Sequence, residues 1–432
     1  MFPLVHTLLF RWRNSPALRS LAWLASEKAL RLVFGQAVVV VLLARYLGPQ
    51  DFGLLSAAVA LVSICGAAAG LGLDEIAVRE LVLQPAARRE QLLGNILWLK
   101  VLGALGGVAA ALLAPGVFQL DQSWRLVALV AAGLLFSPWD VLDWWFQAQS
   151  RFRPPVQARL GAFLLSAGAK VALIALHAPL WTFAAATATE PLLVAFGLMV
   201  AARRAGWRRP RSPVDWQAAR HLASEGFPLL LSGLFVLLSM HSDKVLVLRL
   251  AGSAAAGVYS AAARLTETLY GLPVALGLVL MPILAQYRQR DQARYTRLVR
   301  RTFLGLTAVG VVAAAGLSLA AGGIVGTVFG GRFAGSGPVL AVHAWVAVFI
   351  FQVSLRSRVL VLERKTRWVA GFAALTAAVS ITANVLLIPR YGARGAAWSA
   401  VIAWGFSALL APWLFPEMRA MHRKFLGRVG AP

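Results

Sequence analysis

Charged residues are scarce in this chain of 432 residues: they make up only 14%, whereas hydrophobic residues make up 59%. A soluble domain needs roughly 25% charged residues to cover its surface. The polar side chains here are too few to coat a globule of this size, so lipid must be the solvent for most of the surface. The scarcity excludes a soluble enzyme and indicates an all-α protein that crosses a membrane many times.

Cysteine and catalytic motifs are nearly absent as well. Cys65 is the single cysteine and lies in an apolar run, so it cannot form an internal disulfide and behaves as a small hydrophobic residue. Walker-type phosphate loops, HExxH, GxSxG and paired CxxC motifs do not occur. Asp140 and Asp143 have the D-x-x-D spacing of a glycosyltransferase metal pair, but no nucleotide-binding loop accompanies them. We interpret both aspartates as partners of nearby arginines, and we expect no cofactor and no metal.

Long apolar runs, in contrast, fill the chain. A hydrocarbon core of ~30 Å requires a helix of roughly 20 residues to cross it, and the runs predict about twelve such transmembrane helices. No segment between the runs is long enough to hold a separate soluble domain. The predicted spans, numbered 1 to 12, are residues 22–46, 52–73, 95–114, 125–147, 160–178, 181–201, 226–249, 255–284, 302–328, 338–360, 368–388 and 395–415.

Lysine and arginine are unevenly distributed between alternate connecting segments. The set that contains both termini holds 30 basic residues, including those of segments 202–225, 285–301 and 356–367, and the opposite set holds 6. By the positive-inside rule, this split predicts that both termini lie in the cytoplasm. The net charge of +25 therefore reflects membrane topology, and we exclude nucleic acid as a partner.

The chain also repeats itself at a constant offset of 204 residues. LLARYLGPQDFGLLSAA (42–58) aligns with LVLRLAGSAAAGVYSAA (246–262), which matches Gly48 with Gly252 and Gly53 with Gly257. The repeat predicts two six-helix lobes. Because six is an even number, both lobes enter the membrane from the same side, as parallel repeats do. We expect the substrate to bind in the cleft between such lobes.

Four segments carry a resemblance to a known family. The chain resembles the oligosaccharide flippases of the polysaccharide transporter family, relatives of the multidrug/oligosaccharidyl-lipid/polysaccharide exporters. The segments sample nearly the whole chain in the order that the family shows. They are ARYLGPQDFGLLSAAVALV (44–62) with GLGLDEIAVREL (70–81), WWFQAQSRFR (144–153), SDKVLVLRLAGSAAAGVYSAAARLTE (242–267) with LPVALGLVLMPILA (272–285), and IPRYGARGAAWSAVIA (388–403).

The resemblance implies a function and partners. It implies that the protein is an O-antigen or exopolysaccharide translocase, which moves a polyprenyl-pyrophosphate-linked oligosaccharide to the periplasmic leaflet of the bacterial inner membrane and is not an enzyme. Lipid-linked oligosaccharide and membrane lipid are the expected partners, with H⁺ or Na⁺ and other polysaccharide-assembly membrane proteins as further candidates. The predicted organisation is a cytoplasmic interfacial lead-in at 1–20, an N-lobe at 21–202, a basic cytoplasmic linker at 203–225, a C-lobe at 226–416 and a basic cytoplasmic tail at 417–432.

Ionisable residues inside the predicted spans are the candidates for the site, because each costs about 2.5–3.5 kcal/mol to insert and needs a partner or a function. Cationic groups suit a pyrophosphate, which the guanidinium fork of arginine grips especially well. Carboxylates suit a coupling cation. The candidate substrate-binding residues are Arg31, Lys28, Arg264 and Lys244, and the candidate ion-coupling residues are Glu27, Glu267 and Asp243.

Structural roles compete with these functional ones. Lys28 and Arg31 can also snorkel to the lipid headgroups at the start of span 1. Arg264 and Glu267 are three residues apart on a predicted helix, so they can form a purely structural pair. Asp243 and Lys244 offer a second ion pair, and His241 is more often a core residue than a proton relay. Lys170 and Glu190 are isolated candidates of low weight.

Two other functions stay open. A multidrug exporter of the same superfamily should have a cavity dominated by carboxylates and aromatic rings, whereas the ionisable residues in these spans lean towards the basic. A membrane-embedded glycan ligase or polymerase should carry a large periplasmic loop with catalytic residues. The longest outer segment is roughly 115–124 and contains only Asp121, which argues against that enzyme.

Overall fold

The structure is a computed structural model that describes residues 38–118, 123–207 and 213–419, and these ranges are helical nearly throughout, without a strand. The predicted lead-in at residues 1–20, most of span 1 and most of the tail at 417–432 lie outside the described residues. The helices are α1 (Val40–Gly70), α2 (Asp74–Leu83), α3 (Ala86–Val117), α4 (Trp124–Ala131), α5 (Asp140–Ala148), α6 (Arg153–Ala175), α7 (Leu180–Arg204), α8 (Trp216–Ala251), α9 (Ser253–Glu267), α10 (Gly271–Arg290), α11 (Gln292–Val328), α12 (Ser336–His343), α13 (Val346–Leu362) and α14 (Thr366–Gly405).

Nine helical segments within the described ranges are long and apolar enough to cross a membrane. The longest, Thr366–Leu414, has 49 residues, or about 70 Å at 1.5 Å per residue, which is more than twice the hydrocarbon thickness. It breaks at Gly392, where the backbone leaves the helical region with φ at 55°. The prediction of an all-α, polytopic membrane protein is confirmed, whereas the count of twelve spans stays a prediction.

The outer surface of these helices is apolar. Large aliphatic side chains project from it with little cover: Leu319 is 90% exposed, Val312 73% and Leu113 70%. Exposed apolar surface of this extent is unfavourable in water and indicates contact with another apolar phase. Lipid supplies that phase for a multi-pass membrane protein.

Several helices begin earlier than the predicted spans. α3 begins at Ala86, α8 at Trp216 and α11 at Gln292, each about ten residues before the apolar run. Helix α11 is started by Asp291, whose side chain accepts a hydrogen bond from the backbone N–H of Arg294 at 2.9 Å, as an N-cap does. Hydropathy locates only the apolar part of a helix, so polar first turns escape it.

The described chain divides into two compact units. The first unit comprises residues 38–40 and 65–117 and the described part of 121–230. The second comprises residues 41–64, residue 118 and the described part of 231–432. The unit boundaries therefore differ from the predicted lobe boundaries, which stay a prediction. Both copies of the repeat, 42–58 and 246–262, belong to the second unit.

Each unit has its own apolar core. In the first, Leu73, Ile96 and Trp144 are almost fully buried in one cluster. In the second, the core contains Tyr295, Phe303, Phe351 and Phe372 among others. In the first unit, the helical run between α4 and α5 tightens to a 3₁₀ helix over Ala132–Trp139, where Pro138 lacks the N–H that a regular α-helix requires.

The repeat is visible in the backbone of the second unit. Gly48 has φ 74° and ψ 177°, and its counterpart Gly252 has φ 86° and ψ 173°. Only glycine adopts this region without strain, so the chain needs glycine at both positions to turn between successive helices. The matched conformations agree with the repeat in the sequence, and Gly330 turns the chain in the same way outside it.

The two copies also contact each other reciprocally. A methyl group built on Gly53 would overlap the backbone carbonyl oxygen of Ser253, and one built on Gly257 would overlap the carbonyl oxygen of Pro49. Pro49 and Ser253 occupy equivalent positions at the offset of 204. Residue i of one copy thus meets residue j of the other and the reverse, which is the pattern of a local two-fold axis.

Candidate functional site

A buried charge cluster in the second unit brings together three of the predicted site residues. Lys244 lies on α8, and Arg264 and Glu267 lie one turn apart near the end of α9. The Lys244 Nζ is 2.6 Å from Glu267 Oε1, and an Arg264 guanidinium nitrogen is 3.4 Å from Glu267 Oε2. The predicted Arg264–Glu267 pair is confirmed, and the contact with Lys244 adds a second cation to the same carboxylate.

Burial makes this cluster energetically significant. The side chain of Lys244 is 3% exposed and that of Glu267 is 19% exposed. Desolvating an ion pair costs several kcal/mol per ion, which only close geometry and full pairing offset. The Glu267 carboxylate here faces two cationic groups, and the carboxylate of Asp243 belongs to the residue next to Lys244, so basic and acidic groups meet at this point of the second unit.

Asp243 does not form the alternative ion pair with Lys244. The hydroxyl of Tyr259 donates a hydrogen bond to Asp243 Oδ2, and the Lys244 backbone N–H donates to Asp243 Oδ1 at 2.7 Å. Consecutive residues of a helix point in different directions, which explains why the Lys244 ammonium reaches Glu267 instead. Asp243 is thus an acceptor for a buried tyrosine.

Two histidines adjoin this region, of which His241 is half-buried and His343 is buried. Within the described residues, His241 Nδ1 and His343 Nδ1 have no hydrogen-bond partner. The ring of His343 makes an edge-to-face contact with Tyr259, with centroids 5.6 Å apart. The sequence analysis missed His343, because a single histidine in an apolar run gives no signal of its neighbours.

The first unit contains a different set of pairs. Arg159 donates a hydrogen bond to Asp143, and the nearly buried Lys100 ammonium is 3.6 Å from Asp140 and 5.1 Å from the ring centroid of Trp144. The interpretation of the two aspartates as partners of basic residues is confirmed, although one of those residues is a lysine. Lys170 and Glu190 both take part in interactions of their own.

The remaining predicted site residues are Glu27, Lys28 and Arg31. They lie outside the described residues, and their roles stay predictions.

Arg356 has two assignments in the sequence analysis, because it lies inside the predicted span 338–360 and also in the connecting segment 356–367 of the charge tally. The structure supports the first, since α13 continues to Leu362 and Arg356 is only 3% exposed. Its guanidinium stacks on Phe372, with Cζ 4.4 Å from the ring centroid. The apolar residues that continue past it, such as Val359 and Leu360, were the available signal.

Comparison with known protein families identifies the family of this chain. A family model described as "Polysaccharide biosynthesis protein" matches residues 21–288. The chain belongs to this polysaccharide biosynthesis family. No curated protein sequence matches the chain.

Solved structures similar to this family member are transporters. The structure titled "Lipid II flippase MurJ, inward closed conformation" has a TM-score of 0.75 and 14% identity, over 93% of this chain and 89% of that one. An inward-facing multidrug resistance MATE family transporter of the MOP superfamily has a TM-score of 0.67 and 15% identity, over 94% and 99%. A MOP superfamily transporter from Pyrococcus furiosus, described as having a binding pocket of reverse polarity, has a TM-score of 0.60 and 12% identity, over 96% of this chain and 97% of that one. The TM-scores show a shared fold, and at identities this low the similarity shows the fold alone.

Proposed function

We propose that this protein translocates a polyprenyl-pyrophosphate-linked oligosaccharide from the cytoplasmic to the periplasmic leaflet of a bacterial inner membrane. The observation that carries the proposal is the cluster in which Lys244 and Arg264 both contact the carboxylate of Glu267. Such a cluster presents two cationic hydrogen-bond donors at one place, and an anionic ligand can replace Glu267 as their acceptor. Membership of a polysaccharide biosynthesis family and the fold of a lipid II flippase support the same reading.

The geometry suggests how the head group engages. A pyrophosphate that accepts hydrogen bonds from Arg264 and Lys244 competes with Glu267 for both cations. The sugar–pyrophosphate head then crosses through a hydrated interior by alternating access while the polyprenyl tail stays in lipid. The predicted residues Lys28 and Arg31 would join the same recognition.

Coupling to an ion follows from the same competition. When the pyrophosphate draws the cations away, the Glu267 carboxylate is left without a partner and can load H⁺ or Na⁺, which compensates its buried charge. Asp243 and Glu27 are the further candidates for this role. Flipping in proteoliposomes should therefore respond to an imposed pH or Na⁺ gradient, and indifference to both gradients and to the membrane potential would refute the coupling.

The test of the function is export of the lipid-linked glycan. Arg264→Gln and Lys244→Gln should each reduce export at least about tenfold at normal protein abundance, because each removes a charge-assisted hydrogen bond worth about 1.5–3 kcal/mol. Arg249→Gln is the matched control, since Arg249 is an exposed residue of the same helix α8. Undiminished export by the double Gln variant would move the site elsewhere.

The proposed topology has its own test. With both termini in the cytoplasm, periplasmic reporter fusions should be active after residues 118 and 334 and inactive after residues 210 and 292. An active fusion after residue 210 would overturn the orientation of the two lobes. Membrane lipid and other polysaccharide-assembly membrane proteins are the partners we propose in that bilayer.

A multidrug exporter is the second candidate, supported by the similarity to MATE family transporters. A cationic drug requires exposed carboxylates, whereas Glu267 is already paired with two cations. Drug resistance and glycan export measured in the same deletion strain separate the two functions. Loss of resistance with intact glycan export would favour the multidrug exporter.

A further inference from the structure

A cavity in the second unit contains a buried cation that the proposed function does not use. The cavity has a volume of about 240 Å³ and is bounded by α8, α13, α14 and the helical turn after α14. A single water needs only about 10–15 Å³ by a comparable measure, so this space accommodates a larger group. Its polar and aromatic walls are formed by Arg356, Ser354, Ser357, Ser407, Phe372 and Trp404.

Arg356 has no anionic partner among the described residues. One terminal nitrogen donates to the backbone carbonyl of Ser407, and the other lies 3.3 Å from the Ser407 hydroxyl oxygen. The Nε–H is buried and has no hydrogen-bond partner in the described chain. A guanidinium keeps its charge at neutral pH, and a buried charge without a counter-ion costs several kcal/mol. Within the described residues, the positive charge of Arg356 is therefore left without a counter-ion.

The contact with Ser407 explains how the guanidinium is held but leaves its charge unmatched. Ser407 lies in a π-helical turn, Phe406–Leu410, in which the backbone N–H of Ala411 bonds to the carbonyl of Phe406. The next N–H in that pattern would come from residue 412, which is a proline and has none. The Ser407 carbonyl is thus free to accept from Arg356, and a neutral carbonyl does not neutralise the cation.

The hydroxyl groups of the wall complete a donor set. Ser239 and Thr376 donate to carbonyl oxygens of their own helices. Ser354 and Ser357 line the cavity beside Arg356, and the Ser407 hydroxyl still has its proton to donate. The described lining contains no carboxylate. Several donors around one cation match an anion with several oxygens, and the apolar walls match an attached hydrocarbon chain.

We propose that this cavity is a phosphate-binding subsite for an anionic amphiphile, in which the Arg356 guanidinium supplies the positive charge and the neighbouring serine hydroxyls hold the phosphate oxygens. The assignment of this amphiphile as the transported lipid pyrophosphate rests on the proposed function. A phospholipid headgroup has the same chemistry and is the other source of phosphate. The subsite differs from the Glu267 cluster in its chemistry, because its cation has no carboxylate partner among the described residues.

Direct binding tests the subsite without transport. Farnesyl pyrophosphate, farnesol, inorganic pyrophosphate and phosphatidylglycerol are titrated against the purified full chain in an uncharged detergent. Arg356→Gln should weaken the binding of farnesyl pyrophosphate at least about tenfold and leave that of farnesol unchanged. Arg358→Gln is the matched control, since Arg358 is two residues away and its guanidinium instead donates to the carbonyl of Pro273 at 2.8 Å.

A second variant tests the subsite without removing Arg356, in case Arg356→Gln fails to fold. Ser357→Trp fills the cavity while retaining Arg356 and its contact with Ser407, so it should abolish phosphate-dependent binding at an unchanged unfolding temperature. Arg356→Lys, which keeps the charge, should restore part of the affinity. Wild-type affinity for farnesyl pyrophosphate in both Arg356→Gln and Ser357→Trp would overturn the proposal.

The remaining outcomes show which lipid supplies the phosphate, and they test the subsite separately from the proposed transport function. Arg356-dependent binding of phosphatidylglycerol in preference to farnesyl pyrophosphate supports the subsite and assigns it to bilayer lipid. Arg356-dependent binding in a chain that exports no lipid-linked glycan supports the subsite and overturns the proposed function. Export at the wild-type rate by Arg356→Gln overturns the link to the transported substrate.

Discussion

The two copies of the repeat in the second unit are alike in backbone and unlike in charge. Gly48 and Gly252 adopt the same conformation, and Gly53 and Gly257 make equivalent close approaches. At the same offset, Lys244 aligns with Val40, Arg264 with Ala60 and Glu267 with Ser63. The duplication thus retains the backbone frame in which helices turn and pack, while the charge cluster flanks the second copy only.

This difference fits a site for an asymmetric ligand. A two-fold arrangement of identical charged groups would present the same surface twice, whereas a glycan–pyrophosphate head has one charged end. Charge is costly in a membrane interior, so a second set of charged residues without a ligand would only destabilise the fold. The comparison therefore predicts that substituting the matched glycines lowers stability equally in both copies. Substituting the residues that align with the charge cluster should lower stability on one side only.

The largest effect should come from Glu267→Gln. It leaves Lys244 and Arg264 without their shared carboxylate, and removal of one partner from a buried pair costs about 3 kcal/mol. Ser63→Ala at the equivalent position of the first copy removes only a hydroxyl bonded to the Val59 carbonyl and should change stability by less than about 0.5 kcal/mol. Denaturant titration in mixed micelles measures both variants.

A compensating variant checks the cause of that loss. Replacing Lys244 by Gln together with Glu267→Gln removes the more deeply buried cation along with the carboxylate, so only Arg264 loses its contact with Glu267 instead of both cations. The double variant should therefore be more stable than Glu267→Gln alone. If it is less stable, the carboxylate acts through packing and not through charge.

The next largest loss of stability should come from the glycines at which the two copies contact each other. Gly53→Ala and Gly257→Ala each drive a methyl group into a backbone carbonyl that cannot move by itself, and overpacking of this kind costs about 1–3 kcal/mol. The reciprocal contact predicts losses of similar size for both. Gly305→Ala in α11 is the control, because open space surrounds that glycine and alanine favours a helix. A loss in only one copy would show that the two contacts are not equivalent.

The sequence predicts the frame better than the site. Glycines at a constant offset report a backbone conformation that few other residues adopt, so the repeat was readable from residues alone. The Arg264–Glu267 pair was also predictable, because a spacing of three residues places both on one face of a helix. Local rules are sufficient for features of this kind.

Contacts between distant helices escaped the sequence for a physical reason. The reach of Lys244 to Glu267 depends on how α8 packs against α9, which no spacing encodes. Arg356 counted as a solvated charge because the positive-inside rule uses position along the chain and ignores burial. Its cavity depends on how α13 packs against α8 and α14, which position along the chain does not encode.

The smallest effect is expected for Arg45 and Arg249, which align in the repeat but differ in their contacts. Arg45 donates from Nε to the Val328 carbonyl at 2.7 Å and from a terminal nitrogen to the Thr327 carbonyl, which satisfies the last carbonyls of α11. Arg45→Gln should therefore cost about 1 kcal/mol, measured by the same denaturant titration. Arg249, its exposed counterpart at the offset of 204, should tolerate Gln with a change below about 0.5 kcal/mol. Equal losses at the two positions would mean that the arginines belong to the duplicated frame, and that the frame extends beyond the glycines into the charged side chains.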